Sequence, residues 1–187
     1  MRAKAAGMAA LVGLLLTACA RRPPLPILGQ VPDFQLTSQS GRPFDSRSLV
    51  GRVWVADFIY TTCPGPCPMM SSQMNRVQAR AAGTAGVEMV SFTVDPAHDT
   101  PEVLAAYARH FKADPARWHF LTGSRPVLND LGFNAFHLNA VDGSLEHSTR
   151  FVLVDRRRRI RGYYLTSEDD FLARLLQDIA RLQRENS

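Results

Sequence analysis

Cys63 and Cys67 stand with three residues between them in the stretch Tyr60-Thr-Thr-Cys-Pro-Gly-Pro-Cys-Pro68. Two thiolates are soft ligands that favour copper(I), zinc or iron–sulfur clusters. Two neighbouring thiols can also pass to a disulfide, although this spacing is one residue longer than the redox pair of thioredoxin-like enzymes. A structural zinc site needs four ligands, so the pair alone cannot complete one. Further ligands must come from elsewhere, and the histidines are His98, His110, His119, His137 and His147. His110 falls in a helical pattern and His119 in a short apolar strand, positions that suit structural or surface roles. His98 lies in an acidic loop within reach of the cysteines, and His147 immediately precedes a core strand. Pattern alone selects neither. Met69, Met70 and Met74 add thioethers, but Met70 and Met74 share the apolar face of a helix, which favours core packing.

The elements around the pair follow from the same stretch. Val53 to Tyr60 is an apolar, β-branched and aromatic run that reads as a buried strand. Behind it, Met70, Met74, Val77 and Ala81 recur at helical spacing. The thiols therefore lie in a turn between a core strand and a helix, where α/β sheets expose their chemistry. Pro64, Pro66 and Pro68 disfavour the helical region at Cys63, Gly65 and Cys67. This predicts a stiff extended loop with Cys67 at the N-cap and Pro68 as the first helical residue. On that placement the helix N-terminus favours a thiolate at Cys67. The attacking thiol of thioredoxin-like sites is the more N-terminal one, which here is Cys63, so the two inferences conflict.

At 187 residues and 45% apolar content the chain suits one globular domain with its own core. Its N-terminus differs in kind. Arg2 and Lys4 precede an apolar run from Ala5 to Leu16, short of the roughly 20 residues a membrane span needs and suited to a signal h-region. The run closes in Leu16-Thr-Ala-Cys19, which looks like a bacterial lipobox. The expected organisation is a lipoprotein signal peptide over 1–18, a lipidated Cys19, a proline-rich tether over 19–33, and the domain over 34–187. An uncleaved short anchor with an incidental cysteine is the alternative. With Cys19 lipidated, only Cys63 and Cys67 remain, too few for a disulfide scaffold, although a single stabilising disulfide is the other reading. Loss of the leader lowers the formal charge from +5 to about +3, which gives no indication of nucleic-acid binding. Arg156 to Arg159, with Arg161, form a basic cluster that reads as a solvated turn or as a contact for anionic lipid or an acidic partner.

Further along, Phe34–Thr37 and Arg42–Phe44 flank Ser40-Gly41 as a hairpin. Val87–Val94 is a second core strand, and Thr100 with Pro101 opens a helix to about Lys112. Trp118–Leu121 predicts a strand and Arg125–Leu131 a short helix. Phe133–Leu138 and Leu145–Val154 read as β-strands around Asp142-Gly143, with Ile160–Leu165 pairing back. Ser167 is expected to cap a last helix carrying Phe171, Leu172, Leu175, Leu176, Ile179 and Leu182 on one apolar face. The order implies an α/β fold, a central mixed sheet covered by helices. Asp95 and Asp99 follow a strand beside the cysteine strand and are candidates to support the site, although Asp99 beside Thr100 also suits a helix start.

Three separate stretches in order, Tyr60–Pro68, Thr93-Val-Asp-Pro-Ala-His-Asp-Thr-Pro101 and Glu146-His-Ser-Thr-Arg-Phe-Val-Leu-Val-Asp155, resemble the Sco/SenC (PrrC-like) family of copper-binding proteins. The resemblance runs from about residue 30 to the last helix. It implies a thioredoxin-like fold, here with an N-terminal β-hairpin extension, anchored to a membrane outside the cytoplasm. It also implies a metallochaperone that helps assemble the binuclear copper site of cytochrome c oxidase. The family's copper ligands, two cysteines and a distant histidine, fall on Cys63, Cys67 and His147, and such a set accepts copper(I) or copper(II). The implied partners are the copper-site subunit of the oxidase, other copper chaperones and the membrane that holds the lipid on Cys19; the chain is expected to be a monomer. A carrier is thus favoured over an enzyme. The alternative is a thiol–disulfide oxidoreductase that uses Cys63 and Cys67 as a redox pair without His147. A thiol peroxidase fits less well, because Tyr60 stands where such sites hold Thr or Ser. Two departures from the family pattern are Glu146, where Asp is frequent, and the rigid Pro-Gly-Pro between the cysteines.

Overall fold

A computed structural model of the chain describes residues 23–185. The leader expected over 1–18 and the lipidation candidate Cys19 lie outside the described residues. In chain order the elements are β1 (Gly29–Gln30), β2 (Gln35–Ser38), β3 (Pro43–Asp45), β4 (Val53–Ile59), α1 (Pro66–Arg80), β5 (Val87–Thr93) and α2 (Pro101–His110). They continue with β6 (Trp118–Thr122), α3 (Arg125–Asn129), β7 (Arg150–Val154), β8 (Arg159–Leu165) and α4 (Phe171–Arg184).

All eight strands join one mixed sheet in the order β1-β8-β7-β4-β5-β6-β2-β3. β4, β5 and β6 are parallel, β7 pairs antiparallel with β4, and β8 antiparallel with β7. This is the expected thioredoxin-like arrangement, with the β2–β3 hairpin added beyond β6. Every residue of β4 and β5 is buried, as a sheet covered on both faces requires. The strand period of two sorts them. Val53, Val55 and Ile59 pack with Met70, Met74 and Val77 of α1 and Leu175 and Ile179 of α4. Trp54, Ala56 and Phe58 pack with Phe92, Leu128 and Phe136 on the other face.

Several local expectations are corrected. The tether expected over 19–33 is taken up by the domain in its second half: Gly29 and Gln30 pair with Ile160 and Arg159, and Val31 is fully buried. Phe133–Leu138 is not a strand; Asp130–Ala135 forms a π-helical turn after α3. There Leu131, Ala135 and Phe136 face the core while Phe133 is exposed, a helical rather than an alternating pattern. The strand expected from Leu145 begins only at Arg150, because Gly143 and Leu145 take positive φ (102° and 61°) and turn the chain. The last helix starts after Asp170 rather than Ser167. Thr166 still bonds the Thr149 carbonyl through its amide (3.0 Å) and hydroxyl (2.8 Å), so the ladder outlasts β8 and the turn comes later.

Candidate metal centre

β4 ends at Ile59, Tyr60 to Gly65 form the loop, and α1 begins at Pro66 with Gly65 as its N-cap. The expected N-cap at Cys67 is therefore wrong by two residues. Pro66 suits the first helical position as well as Pro68 would. Pro68 is tolerated in the first turn, where backbone N–H groups have no intrahelical partner to lose. Cys67 is thus inside the helix and fully buried among the α1 core residues, while Cys63 remains in the loop with 6% exposure. Both are free thiols.

His147 reaches the cysteines because β7 pairs directly with β4, Ala56 opposite Val152. The loop before β7 therefore arrives at the end of β4, although it lies 80 residues from Cys67 in sequence. His147 Nε2 is 3.0 Å from Cys67 Sγ and 3.8 Å from Cys63 Sγ. The three ligand atoms lie within 4.8 Å of one another, and they form the one such group among the described residues. Nδ1 of His147 faces the Ser148 carbonyl at 3.3 Å. A proton on Nδ1 directs the Nε2 lone pair at the sulfurs. Tyr60 packs edge-on against the His147 ring, with centroids 5.5 Å apart. The site opens on a cleft of about 440 Å³ lined by Tyr60, Cys63, Pro64, Pro66, Leu145 and His147.

The two thiols are electrostatically unequal. Burial works against a Cys63 thiolate, but hydrogen bonds from the Cys67 amide and thiol, the Gly65 amide and the Tyr60 hydroxyl outweigh it and lower its pKa. Two of these donors come from the N-terminus of α1, where free amides favour an anion. Burial pushes Cys67 strongly upward; the Tyr60 amide, 3.5 Å away, opposes this only partly, and the charges of Cys63 and Asp57 add to it. The helix N-terminus therefore activates Cys63 and not Cys67. Burial also lowers the pKa of His147, which keeps the imidazole neutral and able to ligate.

The supporting candidates separate. Asp99 is fully buried and accepts from Thr61 Oγ1 (2.5 Å), the Thr61 amide (3.2 Å) and Thr93 Oγ1 (2.5 Å), fastening the cysteine loop to the end of β5. Asp95 contributes its backbone carbonyl to the turn that places Asp99, accepting the Asp99 amide at 2.9 Å. His98 and His110 are exposed, and His119 bonds Glu88 at 3.3 Å; none of them joins the cysteines. Met70 and Met74 are fully buried in the core, as expected, and Met69 is exposed.

Sequence reasoning missed three positions. Asn139 Oδ1 accepts the Ser148 amide at 3.3 Å and so steadies the residue after His147. Gly132 makes room for that loop: a Cβ there would stand 2.7 Å from the Asn139 carbonyl oxygen. Asp57, a carboxylate inside an otherwise apolar strand, was the one irregularity that could have signalled a special position under Cys67.

The SCO1/SenC family model matches residues 29–184. A candidate copper-binding protein of Stutzerimonas stutzeri is 32% identical over 148 residues, covering 74% of this chain and 71% of that protein. Among solved structures, a SCO1/SenC family lipoprotein from Bacillus anthracis is 33% identical with a TM-score of 0.77, covering 84% of this chain and 96% of that one. BsSco, a member of the Sco family of cytochrome c oxidase assembly proteins in which a disulfide switch was identified, is 28% identical with a TM-score of 0.77, covering 88% of this chain and 99% of that one.

Proposed function

Since the chain belongs to the SCO1/SenC family, we propose that it is an extracytoplasmic copper carrier, held to the membrane by lipid on Cys19, that loads the binuclear copper site of cytochrome c oxidase. Copper is its cargo, and Cys63, Cys67 and His147 are its ligands. The observation that carries this reading is the convergence of two sulfurs and one imidazole nitrogen within 4.8 Å. Two thiolates and an imidazole suit copper in either oxidation state. The copper-binding description of the Stutzerimonas relative and the oxidase-assembly family of BsSco support the cargo and the destination, and the lipoprotein from Bacillus anthracis supports the anchor. The cleft leaves one side of the site open, as transfer to another protein needs.

The test is titration of the reduced protein with copper(I) and copper(II), comparing wild type with His147→Ala. Loss of an orienting neighbour alone costs a metal site 10–100-fold in affinity, so loss of the ligand should cost more than about 100-fold. Unchanged affinity would remove His147 from the site.

A second reading, thiol–disulfide exchange with the cysteines of the target copper site, is favoured by the unequal thiols. Cys63 attacks a target disulfide as thiolate, and Cys67 then displaces the reduced target. The chain's two thiols become a disulfide, and two electrons and two protons pass to the target. Rapid exchange with a disulfide-bonded copper-site peptide, retained in His147→Ala, would support it. Exchange no faster than that of free cysteine would refute it.

A further inference from the structure

The pole of the sheet opposite the cysteines gathers a different set of residues. β4, β5 and β8 begin there, β7 ends there, and the turn Asp155–Arg158 joins β7 to β8. Direct contacts hold it together. The Gly51 amide donates to the Arg156 carbonyl (2.9 Å), the Gln183 side chain to the Gly86 carbonyl (3.2 Å), and Arg156 to the carbonyls of Leu182 and Glu185. The cysteine loop lies a full strand away; the 7 residues of β4 span roughly 20 Å.

Charge separates the two poles. Around the Asp155–Arg158 turn the carboxylates are already paired, Asp155 with Arg159 and Arg161, Glu185 with Arg161, Asp33 with Arg158, and Glu88 with Arg52, while Asp114, in the turn before β6, is exposed without an ion pair among the described residues. Arg80, Arg157 and Arg184 are exposed and form no ion pair among the described residues. At the cysteine end the charges without an ion pair among the described residues are acidic in balance: Asp95, Glu102, Asp142, Glu146 and Asp169 outnumber Arg125 and Arg150. Three large apolar side chains are also exposed near the basic pole, Ile27 (60%), Leu28 (44%) and Val50 (57%). Leu28 is bonded beside β8, its amide donating to the Ile160 carbonyl at 2.8 Å, and Val50 adjoins Gly51. Unpaired arginines beside exposed aliphatic groups compose a surface suited to the headgroup boundary of an anionic bilayer.

The path of the chain points the same way. Arg161 donates to the carbonyls of Leu25 (2.7 Å) and Pro26 (3.1 Å), and Arg181, in the last turn of α4, donates to the Pro23 carbonyl. The N-terminal segment is thus fastened at the flank of the basic pole. Cys19 lies four residues before Pro23, so at most about 14 Å of extended chain separates the two.

We propose that this pole is a membrane-lying face whose occupant is the anionic phospholipid surface, so that the Cys63–Cys67–His147 end is held away from the lipid. The proposal rests on the anchor at Cys19 for proximity; the arginines and aliphatic side chains supply the orientation.

The test uses the chain as isolated from membranes, reconstituted into phosphatidylcholine vesicles with and without phosphatidylglycerol, and reads amide hydrogen exchange. Phosphatidylglycerol should slow exchange over 27–31, 49–53 and 156–160 and leave 61–68 and 145–149 unchanged. No slowing at the basic pole, or slowing at the cysteine loop instead, overturns the proposal. The combined variant Ile27→Ser, Val50→Ser, Arg157→Glu alters exposed side chains only and should abolish the difference while core exchange stays as in wild type. Persistence of the difference in that variant also overturns it. The anchor is checked separately by the intact mass of the chain, which should show lipid on Cys19. If the lipid is absent the anchor reading fails, and binding of the unlipidated chain to added phosphatidylglycerol vesicles decides the face. That binding should fall about fivefold for each arginine removed, and its absence would overturn the face as well.

Discussion

Replacing Asp57 by Asn should stabilise the protein, and only at neutral and higher pH. Asp57 lies in β4 with no exposed surface; Oδ1 accepts the Ser91 hydroxyl at 2.6 Å and Oδ2 has no hydrogen-bond partner. Burial, against a small opposing effect of Ser91, raises its pKa from 3.8 to about 7. The folded protein therefore keeps a proton that the unfolded chain releases between about pH 4 and pH 7, and stability falls as pH rises through that window. Below it both states are protonated and Asp57 costs nothing; above it the full cost is present. A rise from 3.8 to about 7 corresponds to roughly 4 kcal/mol. Asn keeps an oxygen for Ser91 but leaves amide hydrogens unbonded in the core, a cost of about 1–3 kcal/mol. The expected net effect is a gain of about 2 kcal/mol at pH 8 and a loss of about 2 kcal/mol near pH 4, where only the cost of the amide remains. Urea unfolding of the reduced, metal-free protein at several pH values measures this directly. A gap between variant and wild type that stays constant from pH 4 to pH 8 would refute the raised pKa. The substitution also bears on the site, because the Asp57 charge is one of the influences that push Cys67 upward; in Asp57→Asn the Cys67 thiol should ionise at lower pH.

Iodoacetamide near neutral pH should alkylate Cys63 well before Cys67, since the first has a lowered pKa and the second a raised one; peptide mass spectrometry reads the order, and the reverse order would refute the assignment. Copper binding at neutral pH should release a proton, chiefly from Cys67, measurable by calorimetry in buffers of different ionisation enthalpy; zero release would mean that Cys67 is already a thiolate or does not ligate. Gly132→Ala brings a Cβ within 2.7 Å of the Asn139 oxygen and 3.3 Å of the Phe58 ring. It should cost about 1–3 kcal/mol and weaken copper binding, while Gly83→Ala, which meets nothing within 4 Å, should leave copper binding unchanged. Arg161→Met leaves Asp155 buried with Arg159 as its remaining partner and frees the carbonyls of Leu25 and Pro26. It should destabilise the fold by about 3 kcal/mol and open residues 23–28 to limited proteolysis; an unchanged cleavage rate would show that Arg161 does not hold that segment.

The strands and helices that carry long apolar patterns were legible in the sequence: β4, α1 and β5 bury the residues that their spacing selects, whereas α2 fully buries Leu104 with Tyr107 and Phe111 only partly covered, and on α4 Leu172 and Leu176 flank the buried Phe171, Leu175, Ile179 and Leu182. The thiols were legible because two cysteines between a strand and a helix have few structural uses. His147 was not selected by pattern. Its position depends on β7 pairing antiparallel with β4, a contact between segments far apart in the chain that local periodicity cannot encode, and only the family resemblance singled it out. The error at Cys67 has a local cause: alternate prolines offer two equivalent first-helical positions, and burial of Cys67 in the α1 core decides between them. The loop before β7 misread as strand because Leu145 is apolar, yet it takes a φ of 61° that β-structure does not allow. The arginine cluster, read as a solvated turn or a lipid contact, is mostly consumed internally by Asp155, Glu185, Asp33 and backbone carbonyls, leaving Arg157 exposed.

The division of ligands between a helix start and a loop gives the proposed carrier a route to release. Cys67 is fixed within α1, and Cys63 is held by the amides that begin that helix. His147 belongs to a segment outside regular structure, steadied by Tyr60 and, through Ser148, by Asn139. Of the three ligands it is the one whose departure disturbs least of the fold. A copper ion bound by two thiolates and a neutral imidazole leaves the site at net −1 as copper(I) and at zero as copper(II). A partly buried site is costlier to keep charged than neutral, so reduction of a bound ion would add a charge penalty that works against the softness match between thiolates and copper(I). Protonation of Cys67, whose burial already favours the neutral thiol, also works against that match. Return of a proton to Cys67 and withdrawal of His147 thus lie along one coordinate, and an acceptor offering its own thiolates at the open cleft completes it.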